Sequence, residues 1–216
     1  MPLWAVIADV LAAVLLVLLW YFGFLRYNRR RAQRVLGWIC ASGAGRDRIV
    51  SVRWISPSRF YLKLHFPSHY FRDARFRVHL LPREMPLNWL LSRIRGEQEV
   101  LTFEADLDCP PAFNLEVHNY CWSKLPRSSL NDDVTIVRTG PVVLTTRRDW
   151  QQDLSHMMGG LLASRDCHFQ TVCFRRHSPH FSATLLLACL DLQYDFAPNL
   201  FEALRELATG ASTAMF

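Results

Sequence analysis

The sequence predicts an α+β protein: a single transmembrane helix at the amino end, then a domain of largely antiparallel sheet with about three packed helices. Three observations predict it. The first 25 residues are almost entirely apolar, later stretches alternate apolar and polar residues as half-buried strands do, and shorter stretches carry apolar residues at helical spacing. The chain has 216 residues, 50% of them hydrophobic and 20% charged, which excludes a disordered or collagen-like protein.

The apolar run at the amino end predicts a membrane anchor over residues 1–25. Leu3–Leu25 contains 23 residues of which only Asp9 is charged, and at about 1.5 Å per residue this length crosses a hydrocarbon layer of about 30 Å. Trp4 and Trp20 lie near the two ends, where aromatic side chains favour the headgroup layers. A cleaved signal peptide is the alternative, but the first ten residues lack the basic residues that it requires.

Basic residues beside this run predict its orientation. Five arginines follow it within ten residues, and a positively charged flank stays in the cytoplasm. We therefore expect a protein of the cytoplasmic membrane with its amino terminus outside and its domain inside. Six cysteines without a CxxC pair agree with a reducing compartment. The arginines are the predicted contacts to anionic lipid headgroups: Arg26, Arg29, Arg30, Arg31 and Arg34.

Asp9 is a charged residue about a turn and a half inside the span. One interpretation is a carboxylate that reaches the interface and is merely tolerated there. The other is a contact with a partner membrane protein, because charged groups within a span generally have partners.

Residues 26–43 predict a basic juxtamembrane helix that continues from the anchor. Ala32, Val35, Leu36 and Ile39 follow helical spacing, and glycines at 43 and 45 suit its end. The apolar stripe has two possible positions, on the domain or in the headgroup layer beside the arginines.

Residues 44–122 predict a lobe in which strands surround one helix. Alternation and turn residues indicate strands over 49–55, 60–66, 75–81, 100–108 and 113–122. A helix begins at Pro86, and Gly96 follows it. Leu87, Leu90, Leu91 and Ile94 form a stripe on this helix that we expect to be buried.

Residues 134–216 repeat this plan after a polar loop at 123–133. Strands are predicted over 134–138, 142–146, 168–175 and 181–190, and helices over 149–164 and 198–208. Two lobes and one continuous domain are both compatible with this order.

Two consecutive predicted strands concentrate polar side chains that could do chemistry. If the strands pair in the right register, carboxylates and an imidazole converge and could hold a divalent ion or act as an acid–base pair. The alternative is a solvated outer face, or one whose carboxylates pair with Arg75 and Arg77 on a neighbouring strand. The candidate catalytic residues are Glu104, Asp106, Glu116 and His118, with Asp108 on the same face as the first two.

Charge and motifs favour binding over catalysis. Residues 26–95 contain 16 basic and three acidic residues, whereas 97–216 contain nine basic and 15 acidic. The chain lacks the motifs of phosphate-binding loops, nucleophile elbows and zinc proteases, so we expect no cofactor and no metal. The leading hypothesis is a membrane-anchored binding or scaffold module that contacts lipid or a membrane protein, with no identifiable small-molecule substrate. A metal-assisted hydrolase at the acidic face and nucleic-acid binding by the basic half are the alternatives.

Overall fold

The structure is a computed structural model of the chain. It describes residues 3–41, 49–65, 71–108, 111, 115–119, 134–139, 142–147, 169–174, 178–188 and 204–205. These ranges contain two helices and nine strands.

Helix α1 (Leu3–Ile39) is a single element of 37 residues. The predicted anchor and juxtamembrane helix are therefore continuous, because no proline or other helix-breaking run separates them. The second half of α1 packs on the domain and does not lie in the headgroup layer, as its burial shows. Ala32, Val35 and Ile39 are at most 1% exposed, so this stripe packs on the domain.

All nine predicted strands are present. Their bounds are β1 (Ile49–Ser56), β2 (Arg59–Leu64), β3 (Phe71–His79), β4 (Val100–Leu107), β5 (Leu115–Asn119), β6 (Val134–Thr139), β7 (Val142–Arg147), β8 (Phe169–Phe174) and β9 (His180–Leu186). Every pairing among them is antiparallel.

The strands form one sheet in the order β1-β2-β3-β4-β9-β8-β5-β7-β6. Strands of the second predicted lobe thus lie between β4 and β5 of the first. The buried face carries aromatic side chains that contact one another across neighbouring strands, and Phe103 lies between Phe76 and Phe181 at ring-centroid distances of 5.1 and 5.9 Å. Alternation along β2, β3, β4 and β9 places this apolar set on one face and the arginines of β3 on the other.

Helix α2 (Pro86–Ile94) begins at the predicted proline. The described residues contain two helices rather than about three packed ones. The helix predicted over 149–164 lies outside the described residues. Of the helix predicted over 198–208, the structure describes Leu204 and Arg205, which are helical, and Leu204 is buried.

Candidate functional site

The first half of α1 is exposed along its whole length. Leu3, Leu11 and Leu19 are 63–78% exposed, and the domain covers none of the most apolar stretch of the helix. Among the described residues, α1 is the one helix that is long and apolar enough to cross a membrane. Asp9 lies on this exposed stretch.

Trp20, near the end of the apolar stretch, contacts the domain. Its indole Nε1 donates a hydrogen bond to the Arg83 carbonyl at 2.9 Å, and its ring lies 5.9 Å from that of Trp89 on α2. The Arg83 guanidinium lies over the Tyr27 ring at 5.2 Å. Residues 83–89 are therefore fixed beside the end of the apolar stretch.

About two turns beyond Trp20, a buried polar contact joins α1 to the same segment. The Asn28 side chain is fully buried, and its Nδ2 donates to Glu84 Oε2 at 2.7 Å and to the Leu81 carbonyl at 3.1 Å. Buried polar groups of this kind require partners, so the pair fixes the rotation of α1 against the domain. No sequence pattern marks Asn28, because it is a lone asparagine among arginines.

The predicted lipid-binding arginines fall into two groups. Arg31 points to the domain, where its guanidinium donates to the Leu187 carbonyl at 3.2 Å and lies 3.7 Å from the buried carboxylate of Glu99. Arg83 also pairs with Glu99. The other four arginines are exposed: Arg26, Arg29, Arg30 and Arg34.

The apolar stripe of α2 is exposed, so its predicted burial is wrong. Leu87 and Ile94 are 77% and 74% exposed, and Leu90 and Leu91 about half exposed. The side of α2 that meets the domain carries Trp89 and the buried Ser92 instead. Helical periodicity located the stripe, but it does not show which side of the helix the domain covers.

The predicted acidic constellation does not assemble. β4 pairs with β3 and β9, and β5 pairs with β7 and β8, so two strands separate them. At about 4.8 Å between neighbouring strands, β4 and β5 lie on the order of 14 Å apart. The prediction assumed that consecutive strands pair, and here the chain returns later to insert β8 and β9.

Basic side chains lie beside the carboxylates of β4 and of Asp108 just after it, and Glu104 has the partners that the alternative interpretation named. Glu104 forms ion pairs with Arg75 at 2.9 Å and with Arg77 at 3.2 Å. Asp106 lies 3.6 Å from His180 Nδ1, and Asp108 pairs with Arg72. On β5, Glu116 is exposed and lies opposite Cys173, and His118 lies opposite Thr171. No group of three metal-ligating side chains occurs among the residues that the structure describes.

The polar face of the sheet forms an open depression of about 860 Å³. Its charges are largely matched: besides the Glu104 pairs, Lys63 contacts Asp73 at 2.9 Å, and this hydrogen bond lowers the pKa of Asp73. Arg77 also lies over the Tyr61 ring at 5.2 Å. The depression is therefore lined by charged and polar side chains, several of which pair with one another.

The sequence matches no protein family, and no curated protein matches it. The structure resembles the crystal structure of the mycobacterial trehalose monomycolate transport factor A, TtfA, with a TM-score of 0.44 and 10% identity. The similarity covers 69% of this chain and 70% of that one. An identity this low transfers no residue's role.

Proposed function

We propose that this protein is a single-pass membrane-anchored binding module whose domain lies against the cytoplasmic leaflet. The observation that carries the proposal is the continuity of α1. Its first half is exposed and apolar, and its second half is part of the domain's core. A helix without an intervening linker holds the domain at a fixed height and rotation relative to the bilayer.

The contacts of Trp20 favour an anchor over a signal sequence. Trp20 belongs to the apolar stretch itself, and it both donates to Arg83 and contacts Trp89. Cleavage of the apolar stretch would remove these contacts from the folded domain. We therefore propose that the helix is retained in the mature protein.

The exposed arginines support the cytoplasmic orientation and a contact with lipid. Arg26, Arg29, Arg30 and Arg34 lie within about two and a half turns beyond the span, where each cation gains about 1 kcal/mol from anionic lipid. Arg31 is engaged by the domain and contributes less to this contact. Partner proteins of the same membrane would meet the exposed Asp9 or the polar face of the sheet.

Orientation can be tested with a carboxyl-terminal tag in intact cells and in inverted membrane vesicles. We expect the tag to be protected in cells and accessible in vesicles. The opposite pattern would refute the proposal. Replacing the four exposed arginines together with glutamine should produce a fraction of inverted molecules, because charges within about 15–20 residues of the span set topology.

A matched control for that variant uses four exposed arginines of the domain, all replaced by glutamine. We expect it to keep the wild-type topology, since charges far from the span contribute little. Inversion in both variants would show a general effect of lost charge. The control residues are Arg53, Arg59, Arg72 and Arg75.

The partner contact at Asp9 can be tested by cross-linking in membranes. We expect a cross-linked product of defined mass that Asp9→Leu removes and Ala8→Leu retains, because one variant removes the carboxylate and the other only enlarges a neighbour. Equal products from both would leave Asp9 without a role in the contact.

A further inference from the structure

The described residues leave the apolar stripe of α2 largely uncovered: Leu87 and Ile94 are more than 70% exposed, and Leu90 and Leu91 about half exposed. Leu87, Leu90, Leu91 and Ile94 occur at positions i, i+3, i+4 and i+7, so they form one face of the helix. Trp89 and Ser92, which meet the domain, lie on the opposite side. The helix thus presents leucine and isoleucine away from the protein.

The position of α2 along α1 indicates what this face meets. From Leu3 to Trp20 the helix is about 27 Å long at 1.5 Å per residue, close to the thickness of the hydrocarbon layer. Trp20 therefore reaches the headgroup layer when α1 spans the bilayer. Since Trp20 contacts both Arg83 and Trp89, α2 lies at that same level.

Composition distinguishes α2 from an ordinary surface helix. It contains no acidic residue, and Arg93 and Arg95 lie at its carboxyl end, both exposed. An apolar face on a helix that lacks acidic residues and carries exposed arginines at its end is typical of helices that lie in the plane of a membrane interface. The Arg93 guanidinium lies 5.8 Å from the Trp89 ring, so cation and aromatic side chain occupy the same edge of the helix.

We infer that α2 is a second membrane contact: it lies in the cytoplasmic headgroup layer beside α1 with Leu87, Leu90, Leu91 and Ile94 inserted among the lipids. This inference rests on the proposed span of α1. It makes the bilayer, rather than a protein, the occupant of the exposed face. Two contacts at different points of the domain also prevent it from tilting about α1.

Photo-cross-linking of the full chain in nanodiscs containing anionic lipid tests the inference. A photoreactive amino acid replaces either Leu87 or Ile94, which are exposed and do not support the core. Val50 is the matched control, because it is 62% exposed and lies on the edge strand β1. We expect phospholipid adducts, detected by mass spectrometry, at least five-fold more abundant at positions 87 and 94 than at 50.

Two results would overturn the inference. One is lipid adduct formation at 87 and 94 no higher than at 50, and the other is cross-linking of these positions to protein instead of lipid. A probe at Leu11 separates this failure from failure of the anchor itself. Lipid adducts at 11 without adducts at 87 or 94 would refute the second contact while retaining the span, whereas their absence at all three would refute both.

Discussion

Two helical stripes with similar sequence patterns have opposite environments in this protein. On α1, Ala32, Val35 and Ile39 are at most 1% exposed. On α2, Leu87 and Ile94 are more than 70% exposed, although the leucine-rich stripe is the more hydrophobic of the two. Hydrophobic periodicity thus identifies a face that avoids water, and the surrounding structure decides whether protein or another apolar phase covers it.

The polar residues of the two helices differ in the same way. α1 buries Asn28 and half-buries Arg31 against the domain, whereas Asn88 and Arg93 of α2 are exposed. Equivalent substitutions on the two helices therefore form matched pairs. In mild detergent, substitutions on α1 should lower the free energy of unfolding, whereas the equivalent substitutions on α2 should change it little.

The largest expected effect is that of a charge placed in each stripe. Val35→Asp would bury an unpaired carboxylate and should reduce the free energy of unfolding by about 4 kcal/mol or more. Ile94→Asp should cost less than about 1 kcal/mol, since that position is exposed. Thermal and denaturant unfolding followed by near-ultraviolet circular dichroism measures both. Equal losses would show that the α2 stripe is covered by protein.

Removing an asparagine side chain from each helix should give a smaller difference in the free energy of unfolding. Asn28→Ala leaves the buried carboxylate of Glu84 without its 2.7 Å donor, which should cost about 1–3 kcal/mol. Asn88→Ala should change the free energy of unfolding by at most about 0.5 kcal/mol. The same unfolding assay applies. If Asn28→Ala is neutral, the contact does not fix α1 to the domain.

The arginines provide a third pair. Arg31→Ala removes a hydrogen bond to Leu187 and an attraction to Glu99, and we expect a loss of about 1–2 kcal/mol because Arg83 still pairs with that carboxylate. Arg93→Ala loses only a cation–π contact at an exposed site, about 0.5 kcal/mol. A larger loss of stability for Arg93→Ala than for Arg31→Ala would show that the arginine on α2 stabilises the fold more than the one on α1.

Acidification should lower the free energy of unfolding of the domain only slightly. It should leave the lipid contact of α2 unchanged. Burial, together with the nearby charge of Arg59, lowers the pKa of His79 below its usual value near 6.5. The unfolded chain then binds a proton more readily, so the stabilisation is complete above about pH 6.5 and is lost as the pH falls through the lower folded pKa. Between pH 7.5 and 5, the free energy of unfolding should fall further in wild type than in His79→Gln. We expect this difference to be less than about 1 kcal/mol.

That comparison uses unfolding at several pH values for both proteins. An identical pH dependence in wild type and His79→Gln would show that the histidine is hydrated in the folded domain. α2 contains no group that titrates in this range, so any change in lipid adducts at Leu87 between these pH values would need another cause.

Local sequence pattern predicted the elements of this fold well and their partners poorly. Each of the nine strands was predicted from alternation, and the Ser56–Ser58 turn joins β1 and β2 as expected. The acidic site failed because it required β4 and β5 to be neighbours, and strand order depends on long-range pairing that a local pattern does not contain. The contacts of Trp20 and Asn28 were likewise absent from any motif, since each depends on residues more than 50 positions away.

The sequence by itself determined where the chain is apolar, where it alternates and where its arginines collect, because these properties belong to neighbouring residues and follow from helix and strand geometry. The tertiary structure alone decided that α1 continues into the core, that Glu104 pairs with Arg75 and Arg77, and that the leucines of α2 face outward. Each of these depends on which distant parts of the chain pack together, because a residue is buried only when another surface covers it.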